Sequence, residues 1–312
     1  MTASAARSPP RLGVLDQSPI ARGSDGAGAL RGSLELARAA ERLGFHRYWI
    51  AEHHETERLA SATPEVLIGP IALATRRMRV GSGGVMLPHH SPRRVAESFS
   101  MLAGLFGDRI DLGVGRSAGT DDAATIHALQ RDRRQPSPDD FPEQLDELLA
   151  YLDGRAPPDP RFAGLPRLPG HPGRPQPWLL GSTSESAARA ARLGLPYAFG
   201  DFITRAGTEP AELYRRVFRP SERLAAPWLA ICVSAICAET DDEARRLASI
   251  ARPAGSPPPR VAPVAGSPQR VRAELEARAR RYRADEVLVV TVTHAHEPRV
   301  RSYELIAQAF GP

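Results

Sequence analysis

Apolar positions along this chain fall into two kinds of block. Short continuous apolar runs bounded by polar residues read as strands, and longer segments with apolar residues three and four apart read as amphipathic helices. RLGVLD (11–16) is the first strand, and GSLELARAAERL (32–43) follows with Leu36, Ala40 and Leu43 on one helical face. RYWIAEHH (47–54) is the second strand, and a helix starts at Pro64, a residue suited to a first turn. RVGSGGVMLPHHSP (79–92) is a glycine-interrupted strand that runs into a polar exit and then a helix over 92–106. IDLGVGRS (110–117) is the fourth strand, and FPEQLDELLAYL (141–152) supplies the next helix. The rhythm continues with strands at 176–181, 196–203, 228–238 and 286–293, and with helices at 183–193, 210–225, 241–251 and 299–310.

Strands this continuously apolar belong to a parallel sheet covered on both faces. Eight of them in 312 residues predict an α/β protein, a single (β/α)8 TIM barrel domain over 1–312 with proline-rich loop insertions. The insertions are 153–177 and 252–268, which hold much of the chain's 30 prolines and read as loops or lids. Residues 1–10 read as a disordered N-terminal tail.

Composition narrows the class. A hydrophobic content of 42% and a charged content of 25% are those of an ordinary globular protein. No apolar run is long enough to cross a bilayer, and the N-terminus lacks a signal-peptide core, so no membrane role and a cytoplasmic location are expected. All 41 Lys+Arg residues are arginines, interleaved with Asp and Glu; the net charge of +5 therefore reads as a solvated surface rather than a nucleic-acid site. Cys232 and Cys237 lie in one strand about 16 Å apart, too far for a disulfide, and read as buried thiols.

In such a barrel the chemistry sits at the C-terminal ends of the strands. Those ends carry Asp16 and Gln17, Glu52, His53 and His54, His89 and His90, Arg116 and Ser117, the serines of 182–186, Asp201, and His294 with His296. So many titratable groups on one rim point to an enzyme. His53 and His54 are adjacent, so an extended chain turns them to opposite faces, and one of them can serve as acid or base. His294 and His296 share a face but lack a third ligand, so no metal is expected. In GSTSES (181–186), Ser182 and Glu185 fit a capping box, and the same helix start with Arg116 beside it makes a candidate phosphate site. Gly83 and Gly84 inside an apolar run mark a bulge or a close approach.

RYWIAEHH, RVGSGGVMLPHHSPRRVAESFSMLAGLFGDRIDLGVGRSAG, WLLGSTSESAARAARLGLP and the tail ADEVLVVTVTHAHEPRVRSYELIAQAF together resemble the bacterial luciferase-like flavin monooxygenase family, in order, from about residue 11 to 310. The resemblance is strongest to small single-chain oxidoreductases of bacterial secondary metabolism. It implies reduced FMN, or a deazaflavin coenzyme in some branches, across the barrel mouth. It places a non-proline cis peptide at Gly83–Gly84 against the flavin ring. Arg116, Thr183 and Ser186, with the backbone at Ser182, match the phosphate contacts; His53 matches the catalytic histidine, flanked by Glu52 and His54. It further implies a small-molecule substrate, a separate flavin reductase as electron source, and a homodimer through outer helices near the second and third strands. The expected activity is a flavin-dependent monooxygenation, with a deazaflavin-dependent hydride transfer or a non-catalytic flavin-binding homologue as alternatives. Against relatives, the connections near 118–140 and 252–268 read as shortened, the latter in place of a helical lid.

Overall fold

The computed structural model describes residues 9–311, save 55, 118, 121, 135–138, 163, 166, 167, 169, 171, 205, 206 and 252–258. The expected tail therefore lies outside the described residues except for Pro9 and Pro10.

Nine parallel strands follow one another as β1 (Arg11–Asp16), β2 (Arg47–Ile50), β3 (Arg79–Met86), β4 (Ile110–Gly115), β5 (Gln176–Gly181), β6 (Tyr197–Phe199), β7 (Leu229–Cys237), β8 (Val264–Gly266) and β9 (Glu286–Val290). Eight of them close a ring, because β1 through β7 pair in sequence order and β9 joins β7 to β1. This is the expected (β/α)8 barrel. The helices around it are α1 (Gly26–Arg42), α2 (Pro64–Ala74), α3 (Pro92–Phe106), α4 (Ala123–Leu129), α5 (Phe141–Leu152), α6 (Ser184–Arg192), α7 (Glu209–Val217), α8 (Asp241–Ile250), α9 (Pro268–Tyr282) and α10 (His296–Phe310).

Alternation along each strand makes two cores. Val14, Tyr48, Ile50, Leu112, Val114, Val287 and Val289 face outward and pack with helix residues such as Leu36, Phe99, Leu148 and Ile306. Leu15, Trp49, Ala51, Trp178, Ala198, Ala230, Cys232, Leu288 and Val290 fill the barrel itself. Trp49 and Trp178 meet edge to face there, with ring centroids 5.1 Å apart. Burial pushes the Cys232 thiol up to about 12, so it is inert filling rather than a nucleophile.

The N-terminal end of the barrel is closed by charge. Arg47 reaches Glu286 with Nε (2.8 Å) and Nη2 (3.0 Å), and its Nη1 donates to Asp111. Arg79 donates twice to the other oxygen of Asp111, at 3.0 and 2.6 Å, and Trp49 Nε1 donates to Asp111 at 3.0 Å. The Arg47 guanidinium also lies 4.5 Å from the Trp178 ring centroid. Two arginines thus meet two carboxylates in a neutral plug. Burial works against the Arg47 charge, but Asp111 and Glu286 outweigh it and raise its affinity for its proton.

Several expectations are corrected. The segment 252–268 is not simply a loop: residues 252–258 lie outside the described residues, but Val264–Gly266 pairs with Ala235–Cys237 of β7, and Pro268 opens the fifteen-residue α9. Proline sits in the first turn of α2, α3, α5, α7 and α9, where its missing N–H costs nothing. In 153–177, Pro160–Phe162 forms a turn of 3-10 helix, and β5 takes its last two residues. α1 begins earlier than expected, where Asp25 accepts from the Gly28 amide at 2.7 Å. α7 stops at Val217, short of the predicted 225.

Candidate functional site

β2 ends at Ile50, so Glu52, His53 and His54 leave the strand into the rim. Glu52 is 1% exposed and acts as a hub. Its Oε1 lies 2.9 Å from His54 Nε2 and 2.9 Å from His90 Nε2, and its Oε2 accepts the Met86 amide at 2.9 Å. Burial alone would raise the Glu52 carboxyl; the hydrogen bonds from His90, His54 and Met86, with the charge of His90, hold it below the ordinary value. His90 responds in the opposite sense, with burial outweighed by the hydrogen bond and charge of Glu52, so its affinity for a proton is raised. The His54 ring stands edge-on to His89 at 6.1 Å.

His53 differs from both neighbours. Its amide donates to the Ser61 carbonyl at 2.9 Å, which fixes the backbone. Its Nδ1 is buried without a hydrogen-bond partner, as is Nδ1 of His294. Trp49 and Ala51, four and two residues before it, fill the barrel. Burial, then the neighbouring His54, lower its affinity for a proton against the pull of Glu52. A neutral imidazole with an unpaired nitrogen is a ready proton acceptor.

The glycine strand carries both readings suggested by its sequence. Between Ser82 and Val85 the ladder to β4 advances three residues against two, which is a bulge. The Gly83–Gly84 peptide is cis. A Cβ on Gly83 would lie 2.5 Å from Leu15 Cδ1, and one on Gly84 would lie 2.8 Å from the Gly113 carbonyl, so neither position admits a side chain without movement. Met86, two residues on, is the residue whose amide binds Glu52.

Across the rim, Arg116 follows β4 and Ser182 follows β5. The capping box is displaced by one residue from the expected pair: Thr183 is the N-cap of α6, its Oγ1 accepting the Ser186 amide at 3.2 Å while Ser186 Oγ accepts the Thr183 amide at 3.3 Å. Ser182 and Glu185 take no part in it. Glu185 instead accepts from Arg116 Nη1 at 3.1 and 3.3 Å, and both side chains are about half exposed, at 57% and 51%. Arg189 stands 3.5 Å behind the same carboxylate. An exposed guanidinium and first-turn amides at one helix start are the donor set a phosphate needs, but Glu185 now engages the arginine. Replacing Glu185 by glutamine is expected to tighten binding of a phosphate-bearing ligand roughly two- to fivefold, as release of one exposed pair implies. A fluorescence titration at low salt checks this.

Three rim candidates are placed elsewhere. Asp16 turns out of the barrel, where it accepts the Ser18 amide (2.6 Å), the Tyr48 hydroxyl (2.5 Å) and an ion pair from the buried Arg299 of α10. Asp201 accepts from Arg278 (2.7 Å) and Tyr282 (2.6 Å), both on the unexpected α9. His296 opens α10 and faces Glu35 of α1 at 3.2 Å, so it does not join His294. No group of three or more His, Cys, Asp or Glu side chains among the described residues is placed to hold a metal ion, and no helix among them is long and apolar enough to cross a membrane.

The family model for luciferase-like monooxygenases matches residues 11–299. The uncharacterized protein YwcH of Bacillus subtilis (strain 168) is 40% identical, over 96% of this chain and 98% of its own length. A luciferase-like monooxygenase of Escherichia coli (strain K12) is 38% identical over 94% of each. The crystal structure of apo-MsnO8 is 41% identical, with a TM-score of 0.85 over 96% of this chain and 97% of that one. More distant structures share the fold alone. One is the oxygenating constituent of 3,6-diketocamphane monooxygenase of Pseudomonas putida in complex with FMN, 18% identical at a TM-score of 0.74 over 97% and 98% of the chains. Another is an F420-dependent secondary alcohol dehydrogenase in complex with an F420–acetone adduct, 13% identical at 0.66 over 98% and 100%.

Proposed function

Because the chain belongs to the luciferase-like monooxygenase family, we propose that it is a flavin-dependent monooxygenase, taking reduced FMN from a separate reductase and oxidising a small organic molecule with O2. The observation that carries this is His53, a buried imidazole with an unspent nitrogen, on the same barrel rim as an arginine at a helix start. Reduced FMN, when bound, supplies the electrons that activate oxygen. One oxygen atom passes to the substrate and the other leaves as water.

The chain's own residues bind, orient and move protons. Arg116 releases Glu185 to grip the phosphate, with the Thr183 and Ser186 hydroxyls and the backbone at Ser182 completing the site. Gly83 and Gly84 offer bare backbone to the flavin ring. His53 takes a proton from the substrate and returns it to the oxygen that departs as water, and Glu52 holds His54 and the Met86 amide in place around it. α9 fastens Asp201 and stands in the β7–β9 connection, where water must be kept from the reaction.

An anaerobic fluorescence titration with oxidised FMN, reduced FMN and a deazaflavin tests the reading, followed by oxygen uptake with a reductase present. Preference for reduced FMN with substrate-dependent uptake supports it. Preference for the deazaflavin, with turnover that needs no oxygen, moves the function to hydride transfer. Flavin binding with no turnover leaves a binding protein, and binding of neither coenzyme overturns the flavin reading.

A homodimer is part of the same proposal. α2 carries only one charged side chain, Glu65, and a helix apolar all round calls for cover. Leu73 on α2 is 80% exposed and Leu105 on the neighbouring α3 is 74% exposed, with Val66 and Met101 beside them. Leu105→Arg is expected to convert a dimer into monomer in sedimentation velocity without unfolding it. A single-chain mass for the unmodified protein at micromolar concentration would sink the dimer.

A further inference from the structure

β2 ends at Ile50, so His53 stands beyond the ladder that holds its strand. A second, smaller ladder takes over. The Asp16 carbonyl accepts the Ala51 amide at 2.9 Å, and from there the chain leaving β1 exchanges its parallel pairing with β2 for an antiparallel one with the chain returning at 58–61, where Pro19 faces Leu59. The Ile20 amide donates to the Arg58 carbonyl at 2.8 Å, and the Ala60 amide to the Ser18 carbonyl at 2.9 Å. Ser61 ties this ladder to the histidine. Its hydroxyl donates to the Gln17 carbonyl at 3.2 Å, and its carbonyl accepts the His53 amide at 2.9 Å.

Ser18 makes the change of partner, and it does so at a φ of +47°. Positive φ is uncommon outside glycine. Arg283, the other such residue among those described, ends α9, where left-handed backbone is usual. Ser18 ends no helix and is fully buried. Backbone strain of this kind persists where the surroundings over-determine it, and it gathers at functional sites. Here Asp16 Oδ1 accepts the Ser18 amide at 2.6 Å, and the Ser18 hydroxyl lies 2.9 Å from that of Ser33 on α1. Asp16 is held in turn by the Tyr48 hydroxyl and by the buried Arg299 of α10. Further along the same loop the Arg22 amide donates to the His294 carbonyl at 2.9 Å, which fastens it to the exit of β9 as well.

We propose that Ser18 is a positioning residue for His53: its strained turn, set by Asp16, seats the 58–61 segment whose Ser61 carbonyl holds the histidine at the rim. Asp16 and Arg299, which lie outside the barrel, thus act on the rim from behind. Only the effect on turnover rests on the proposed role of His53; the placement of its ring does not.

Placement is measured on the full chain without flavin, by amide hydrogen exchange and by the NMR signals of the histidine rings. Valine is branched at Cβ and accepts positive φ poorly. In Ser18→Val the amides of Ile20, His53 and Ala60 are expected to exchange at least about tenfold faster, with those of Trp49 and Leu288 unchanged, and the His53 ring signals to move. Ser61→Ala carries no steric burden and removes only the hydroxyl bond to Gln17. It is expected to speed exchange at His53 about 3–10-fold and to move the ring signals the same way, and Ser61→Thr, which keeps a hydroxyl, to restore both. In the reductase-coupled assay kcat should fall about 10–100-fold in Ser18→Val and about 3–10-fold in Ser61→Ala, with KM and affinity for reduced FMN within about threefold. His53 ring signals that stay in place in Ser61→Ala overturn the proposal, even where Ser18→Val fails to fold, because the ladder is then a structural stitch alone. Loss of FMN affinity in step with turnover overturns it as well. A displaced His53 ring with undiminished turnover leaves the positioning intact and removes His53 from the reaction instead.

Discussion

Alanine at position 53 is expected to leave affinity for reduced FMN within about twofold and to lower turnover by about 10²–10⁴-fold, the range a positioned acid or base supplies. Binding should survive because the proposed phosphate donors lie after β4 and β5, whereas His53 follows β2. Folding should survive because the His53 amide, not its ring, holds the backbone to Ser61. Truncation also removes a buried nitrogen that nothing in the fold satisfies. The sign of the pH dependence follows from the environment. Burial and His54 depress the ring below the ordinary histidine value of about 6.5. The neutral, proton-accepting form is therefore present at neutral pH and is lost only as pH falls through that lowered value. Steady-state turnover with a reductase, alongside an anaerobic FMN titration, checks both halves. Turnover within about threefold of the unmodified protein would remove His53 from the reaction, whatever the flavin affinity.

The largest expected loss of stability lies at the opposite end of the barrel. Asp111→Ala should cost about 3–5 kcal/mol, because it strips the counter-charge from Arg47 and Arg79 and the acceptor from Trp49 Nε1 while leaving both arginines in place. Arg47 suffers most: it is 3% exposed and confined beside Trp178, so it cannot turn to water. Changing Asp111 and Arg47 together to leucine should cost less than the sum of the single changes, since the Arg47 charge that Asp111 balances is removed with it, while Glu286 and Arg79 lose their partners in either case. Urea unfolding midpoints measure both. A single-variant cost under about 1 kcal/mol would mean that the network contributes little to holding the barrel closed.

Local patterns in the sequence were enough to find the eight barrel strands, because each is a run of apolar residues flanked by polar ones. The prolines misled for an equally local reason. Pro268 closes a proline-rich stretch by composition, yet its place in the structure is the first turn of α9, and the arginine-rich VRAELEARARRY beyond it is a solvated helix that shows a weak apolar face. Asp201 looked free on the rim for as long as α9 was missing. The capping box could be found only to within one residue, because Ser182, Thr183, Ser184, Glu185 and Ser186 all have capping chemistry and only the backbone decides which one is the cap. Gly83 and Gly84 were visible as an interruption, while the cis bond between them was indicated by family resemblance and not by composition. The two charge hubs were out of reach for a different reason. Arg47, Asp111 and Glu286 are separated by up to 239 positions, and Glu52 and His90 by 38. Nothing in a local window ties such residues together. Only closure of the barrel does.

Closing eight strands into a ring removes every sheet edge, and β8 restores one. Among the described residues it pairs only with Ala235–Cys237, so its other side presents backbone donors and acceptors beyond the ring. An open edge is a template on which another chain can add strands and begin to aggregate. Here the template is three residues long, bracketed by Pro263 and Pro268, neither of which can donate to a growing ladder. The prolines of this segment thereby acquire a use that loop composition does not suggest: they keep this border of β8 too short and too poor in N–H groups to recruit a neighbour.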